Sequence, residues 1–132
     1  MIFTKKVTTL ANTSQFSPQV TRLNLTRGVI DQWIIFFPVG HEGEHFLQIK
    51  QGSRWLLPLN PSEGISVINQ TLIIREFLIF DKEPLSVDVH TWNTDTVNSH
   101  DLFISINILP KYYYYPFSTV LKKISLEDLS SG

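Results

Sequence analysis

The sequence contains no cysteine. This absence excludes a disulfide framework and any metal site built from thiolates. A strong charge imbalance is also lacking, because 11 basic residues are matched by 12 acidic residues and the net charge is −1. A chain this close to neutrality has no overall field that attracts nucleic acid or an anionic membrane surface. Neither is therefore expected as a partner.

Long hydrophobic runs are missing as well. No apolar run approaches the ~18 residues that a transmembrane helix needs. The opening stretch, MIFTKKVTTLANTSQF, lacks the apolar segment of a secretory signal peptide. We therefore expect a protein that is made in the cytoplasm and is not secreted by a signal peptide.

The apolar residues that are present, 42% of the 132 residues, come in short bursts about ten positions apart. That spacing is typical of all-β proteins. The segment 71–80, TLIIREFLIF, is ambiguous between strand and helix, and its isoleucine and phenylalanine content favours a strand. Eight strands are predicted, over residues 3–10, 20–26, 29–37, 45–50, 54–59, 71–80, 84–92 and 102–109.

Eight short antiparallel strands are most economically arranged as a two-sheet β-sandwich, and we predict a jelly-roll-like one. Alternation predicts which residues face the core, for example Leu102, Ile104, Ile106 and Ile108 in the last strand. Gly28 is expected in a turn, where it is free to take a positive φ. Residues 1–117 are predicted to form a single domain, with 1–17 as an N-terminal arm or strand. Residues 118–132 are predicted to form a C-terminal tail with helical potential.

The stretch from His41 to His45, HEGEH, matches the zinc-protease motif H-E-x-x-H. That motif works only on a helix, which places both histidines on one face. Pro38, Gly40 and Gly43 argue against a helix here, and strand-like runs flank the motif closely. We interpret the match as a coincidence in a solvated hairpin loop. Replacing both histidines by alanine is then expected to leave thermal stability almost unchanged.

A second polar loop, NTDTVNSHD, spans residues 93–101. Asn93, Asp95, Asn98 and Asp101 are oxygen donors of the kind that bind calcium, but their spacing differs from that of an EF-hand. An Asx-rich connection that bonds to its own backbone is the favoured interpretation. No metal, cofactor or catalytic residue is assigned. The candidate ligand-binding residues of the two loops are His41, Glu42, Glu44, His45, Asn93, Asp95 and His100.

The segment KYYYYPF, residues 111–117, and the tail after it are the candidate interface. Four consecutive tyrosines of an extended segment point to both sides, and tyrosine is enriched in interface cores. An edge strand packed on its own domain and a sugar-stacking surface remain open as alternatives. The candidate contact residues are Tyr112, Tyr113, Tyr114, Tyr115, Phe117, Val120, Leu121 and Ile124.

Four stretches follow one another in a suggestive order: TRGVIDQWIIFFPVG at 26–40, RWLLPLNPSEG at 54–64, LSVDVHTWNTD at 85–95 and HDLFISINILP at 100–110. Together they resemble small jelly-roll proteins of tailed bacterial and archaeal viruses, of the decoration, turret or spike kind. The resemblance implies a module that self-associates around a symmetry axis and docks on a capsid or tail. Its motifs are structural, so no catalytic residues come with it.

The function expected from this sequence is therefore that of a structural protein in a virus particle. Its expected partners are further copies of itself, as a trimer or higher homo-oligomer, and other virion proteins such as the major capsid protein. In that interpretation Trp33, Trp55 and Trp92 are mostly core or sheet-edge anchors. The alternative is a carbohydrate-binding or receptor-binding module whose loops and tyrosines contact a glycan. A metal enzyme on a cupin-like barrel is disfavoured, because its ligands would have to lie on strands.

Overall fold

The computed structural model describes residues 1–40, 42–57 and 64–110. Over these ranges the protein is all-β, with no helix long and apolar enough to span a membrane. All eight predicted strands are confirmed, with shifts of a few residues at their ends. They are β1 (Ile2–Thr9), β2 (Gln19–Asn24), β3 (Gly28–Phe37), β4 (His45–Gln51), β5 (Arg54–Leu57), β6 (Gln70–Phe80), β7 (Ser86–Asn93) and β8 (His100–Leu109).

The strands form two antiparallel sheets of four. Sheet A has the order β1-β8-β3-β6, and sheet B has the order β2-β7-β4-β5. The first strand pairs with the last, the second with the seventh, the third with the sixth and the fourth with the fifth. This nesting is that of one long hairpin rolled up into two sheets, which is the jelly-roll arrangement.

The N-terminal segment is a full member of sheet A. Strand β1 pairs with β8 from Ile2 opposite Asn107 to Thr9 opposite His100. The sequence predicted either a strand or an arm for this segment, and residues 2–9 form a strand.

The core lies between the inner faces of the two sheets. The predicted alternation in β8 is confirmed, because Leu102, Ile104, Ile106 and Ile108 are all buried. Segment 70–80 is a strand, as its composition indicated. The three fully buried aromatics with the largest side chains are Trp33 and Phe37 of β3 and Phe80 of β6.

Gly28 differs from the prediction. It is the first residue of β3, and it is not among the glycines with a positive φ, which are Gly40, Gly43 and Gly52. A Cβ at Gly28 would lie 2.3 Å from the carbonyl oxygen of Leu109 in the neighbouring strand β8. Glycine is required here for the close approach of two strands and not for a turn.

The burial pattern of sheet A can be tested with one substitution at two positions. Ile104, in the middle of β8, is fully buried, whereas Ile73 of β6 faces outwards and is 53% exposed. Ile104→Ala should lower the free energy of unfolding by about 2–5 kcal/mol, because it leaves a cavity in the core. Ile73→Ala should lower it by less than about 1 kcal/mol. Urea unfolding measures both values, and equal losses would contradict the inward assignment of β8.

Candidate functional site

Three polar side chains meet between the sheets at one end of the sandwich. His45, the first residue of β4, is fully buried, and its Nε2 lies 2.8 Å from the Oγ1 of Thr9 at the end of β1. The Thr9 hydroxyl donates a hydrogen bond of 2.8 Å to the Oγ1 of Thr91 on β7, and both threonines are fully buried. Because β1 belongs to sheet A and β4 and β7 belong to sheet B, these bonds join the two sheets.

The connection between β7 and β8 is organised by Asp95. Its Oδ1 accepts hydrogen bonds from the backbone N–H groups of Val97 (2.9 Å) and Asn98 (3.1 Å), and its Oδ2 lies 2.9 Å from Nε2 of His100. The backbone N–H of Val97 first, then that of Asn98, and then His100 hold the pKa of Asp95 well below its usual range. The connection is thus an Asx turn around a carboxylate that is ionised at neutral pH.

Asn93 links this turn to the buried polar side chains. It is fully buried at the end of β7, its Oδ1 accepts the N–H of Asp95 (3.0 Å), and its Nδ2 donates to the carbonyl of Asn98 (2.8 Å). The ring of His100 lies 6.1 Å from the ring of His45, centroid to centroid. We call the six side chains of this region the polar cluster: Thr9, His45, Thr91, Asn93, Asp95 and His100.

Three of the candidate ligand-binding residues do not lie in exposed loops. His45 pairs with Asn93 at the ends of β4 and β7, and both are fully buried because they continue the inward-facing positions of their strands. His100 begins β8 and is 9% exposed. The premise that His45 is solvated is therefore wrong. Glu42 is exposed and Glu44 half-buried in the connection before β4, and His41 lies outside the described residues.

The polar cluster is built to hold the fold together. The oxygens of Asn93 and Asp95 bond to N–H groups of the chain itself, which is the Asx-rich arrangement favoured from the sequence. No group of three or more histidine, aspartate or glutamate side chains is placed to hold a metal ion in the part of the chain that the structure describes. A groove of about 320 Å³ beside His100 is lined by residues 38–40 and 98–101.

The outer face of sheet A carries the second candidate site, an apolar patch. Ile73, Phe77 and Ile79 of β6 are 53%, 61% and 38% exposed. Phe36 of β3 stacks on Phe103 of β8, with 6.1 Å between the ring centroids. We define the apolar patch as Ile34, Phe36, Ile73, Phe77, Ile79 and Phe103. The exposed Arg75 lies on the same side of β6, between Ile73 and Phe77. Apolar side chains exposed together in this way are typical of a contact surface.

The two edges of sheet A carry charges in inward-facing positions. Lys5 of β1 lies opposite the buried Ile104 and is itself exposed at the edge. Glu76 lies on the inward-facing side of β6 and accepts a hydrogen bond of 2.5 Å from the indole N–H of Trp33. Inward-pointing charges on edge strands oppose pairing with the edge of another sheet. Contacts through the outer face are thereby favoured over contacts through the edges.

Sequence reasoning missed the apolar patch. The signal was present in TLIIREFLIF, because its apolar residues lie on both faces of the predicted strand. One face carries Leu72, Ile74 and Leu78, and the other carries Ile73, Phe77 and Ile79. The first group packs against the core and the second faces outwards. The predicted interface residues Tyr112–Tyr115, Phe117, Val120, Leu121 and Ile124 all lie outside the described residues.

The sequence led us to expect that alanine at position 45 leaves stability almost unchanged, and the burial of His45 predicts the opposite. His45→Ala should lower the free energy of unfolding by about 2–4 kcal/mol, because it leaves a cavity and takes a partner from the buried hydroxyl of Thr9. Glu42→Ala, in the connection just before β4 and exposed, should change it by about 0.5 kcal/mol or less. Thermal or urea unfolding measures both. A loss from His45→Ala as small as that from Glu42→Ala would contradict the structural role of the polar cluster.

The pKa of Asp95 predicts a dependence of stability on acid pH. A carboxyl whose pKa is lowered by folding stabilises the protein above its unfolded pKa of about 4, and this stabilisation is lost as the pH falls towards the folded pKa. Asp95→Asn keeps an acceptor oxygen but loses the charge. The wild type should therefore be more stable than Asp95→Asn at pH 6, and the difference should shrink below about pH 4. Urea unfolding between pH 7 and pH 2.5 measures it, and a constant difference would refute the explanation.

Comparison with protein-family models, with curated proteins and with solved structures finds no match to this chain. The function is therefore argued from the two sites described above, the polar cluster and the apolar patch.

Proposed function

We propose that this chain is a structural component of a virus particle, of the capsid decoration, turret or spike-like kind, that acts through protein–protein contacts and catalyses no reaction. The observation that carries the proposal is the apolar patch on the outer face of sheet A. Large exposed apolar surfaces on folded proteins mark places where other proteins bind. The jelly-roll strand order and the resemblance of four sequence stretches to virion proteins support the viral context.

The geometry of sheet A suggests how copies associate. Edge-to-edge pairing would place the inward-facing charge of Lys5 or Glu76 at the new contact, whereas the side chains of the apolar patch point outwards from β6, β3 and β8. Association through such a face around a symmetry axis closes on itself and produces a defined oligomer. The proposed partners are further copies of the chain, as a trimer or higher homo-oligomer, and other virion proteins such as the major capsid protein. The proposed location is the virion.

The polar cluster agrees with a structural role. Its histidines and carboxylate bond to neighbouring side chains and to the backbone, and His45, Thr9 and Thr91 are closed to solvent. A catalytic base or nucleophile has to reach a substrate within hydrogen-bond distance. Full burial prevents that for these three side chains.

Carbohydrate binding is the alternative function, and the tryptophans bear on it. A sugar-binding surface needs aromatic rings that are accessible from solvent. Trp33 and Trp92 are buried, and Trp55 is half-buried with the Nζ of Lys50 4.9 Å from its ring centroid. Trp55 is therefore the tryptophan whose fluorescence a bound glycan would change. Protein contact is the function that the exposed side chains favour.

The proposal predicts a mass in solution that depends on the apolar patch. Light scattering on a sizing column at micromolar concentration should give a trimer or a larger closed oligomer. Ile73→Asp should shift the population towards the monomer, because it places a charge in an apolar contact. Val97→Asp is the matched control, since Val97 is 79% exposed in the β7–β8 connection. A wild type that stays monomeric at all concentrations, or equal effects of both variants, would argue against association through this face.

A second experiment tests the viral context. Antibodies against the purified protein should label the surface of intact virus particles from the source of the sequence, and mass spectrometry should find the chain in those particles. Particles that lack the chain would overturn the virion assignment, even if the purified protein forms oligomers.

A further inference from the structure

The connections at the two ends of the sandwich differ in what they expose. One end, which we call the loop end, carries the connections β1–β2, β3–β4, β5–β6 and β7–β8, above the polar cluster. In the described residues of all four connections, large apolar side chains are more than half exposed: Leu10, Phe16, Val39, Ile68 and Val97. The connections of the opposite end, 25–27, 52–53 and 81–85, have no leucine, isoleucine, valine or phenylalanine that is exposed to this extent.

This distribution is unusual because it is confined to one end. A single exposed apolar side chain needs no explanation, since folded proteins expose many of them. Apolar side chains on every connection of one end form a surface that is separate from the apolar patch on the face of sheet A. Loops carried on a rigid β-sandwich are a common place for binding residues.

Hydrogen bonds tie three of these connections to one another. The backbone N–H of Asn12 donates to the carbonyl of Asp95 (2.7 Å), which joins the β1–β2 connection to the β7–β8 connection. The backbone N–H of Thr94 donates to the carbonyl of Glu44 (2.9 Å), which joins the β7–β8 connection to the β3–β4 connection. A surface whose loops are already fixed loses less conformational entropy when a partner binds.

Phe16 is the most exposed of these side chains, at 94%. Its backbone N–H donates to the Oγ of Ser14 (3.1 Å), and the N–H of Ser17 donates to the carbonyl of Ser14 (3.2 Å). The ring is thus presented to solvent by a hydrogen-bonded turn. Aromatic side chains are enriched in the centres of protein interfaces.

The charge of the loop end indicates the kind of partner. Its four connections contain no lysine or arginine, whereas carboxylates occur there, among them Glu42, Glu44 and Asp95. An anionic bilayer attracts surfaces that are rich in lysine and arginine, so it does not fit this end. Contact between the loop ends of two copies would bring carboxylates together, and like charges oppose binding. A protein surface that carries cations around an apolar recess is complementary to it.

We propose that the loop end is a second docking surface, for a different protein whose own surface carries lysine or arginine around an apolar recess. Phe16, Val39 and Val97 enter the recess, and Glu42 faces the cations. The polar cluster and the bonds between the connections hold these side chains in place. The loop end is separate from the apolar patch, so this inference does not depend on whether copies associate. Val97→Asp is accordingly expected to leave the mass of the protein unchanged.

The absence of cysteine allows one photoreactive label to be placed at a chosen position of the full chain. Phe16→Cys, Val97→Cys and Ile2→Cys are each labelled with benzophenone maleimide. Ile2 is the control, because it is 70% exposed but lies at the start of β1, at the opposite end of the sandwich. Each labelled protein is mixed with an extract from the source of the sequence and irradiated, and mass spectrometry identifies the adducts.

The expected result is the same adduct from the labels at positions 16 and 97, with one protein other than this chain. Its yield should exceed that from position 2 at least about fivefold, and the cross-linked peptide of the partner should contain lysine or arginine. Glu42→Lys, added to Val97→Cys, should lower the yield about fivefold or more, because it places a cation against cations. Glu83→Lys is the matched control, since Glu83 is exposed at the opposite end.

Three results would overturn the inference. They are adducts that form only between copies of the chain, a yield from positions 16 and 97 no higher than from position 2, and equal effects of the two charge reversals. The proposed function fails on other results. A partner that is absent from virus particles would contradict the virion assignment and leave this inference standing, whereas the mass measurement tests association through the apolar patch.

Discussion

The structure depends on the pairing of β8 between β1 and β3. This strand holds the first strand of the chain in sheet A, with β1 on one side from Ile2 to Thr9 and β3 on the other. Its four alternate apolar residues are all buried and close sheet A over sheet B. Both sites of the molecule are tied to it, because His100 at its start belongs to the polar cluster and Leu109 at its end borders the apolar patch.

The polar cluster shows how hydrogen bonds hold buried polar side chains in place at one end of the β-sandwich. A buried hydroxyl or amide destabilises the fold unless it is hydrogen-bonded. Here Thr9 bonds to His45 and Thr91, and Asn93 bonds to the backbone of the turn that Asp95 organises. The bonds cross from sheet A to sheet B and therefore also fix the relative position of the sheets at this end. A group that could look catalytic from its residue types is in this way a structural device.

The apolar patch and the charged edges of sheet A have complementary effects. Unpaired edge strands invite uncontrolled association, and inward-facing charges such as Lys5 and Glu76 oppose it. The exposed Ile73, Phe77 and Ile79 of β6 give the outer face the apolar surface on which the proposed association depends. Under the proposed function, this division disfavours growth along the sheet and leaves docking on the face available.

The sequence by itself determined the all-β class, the eight strands and the inward residues of β8, because alternation with a period of two depends only on the order of the residues. It could not determine which strands are neighbours. That pairing brings Thr9 to His45 across 36 positions and Gly28 to the carbonyl of Leu109. It also makes β6 an edge strand, so that the apolar residues on its outward-facing side remain exposed. These contacts are long-range, and only the tertiary structure decided them.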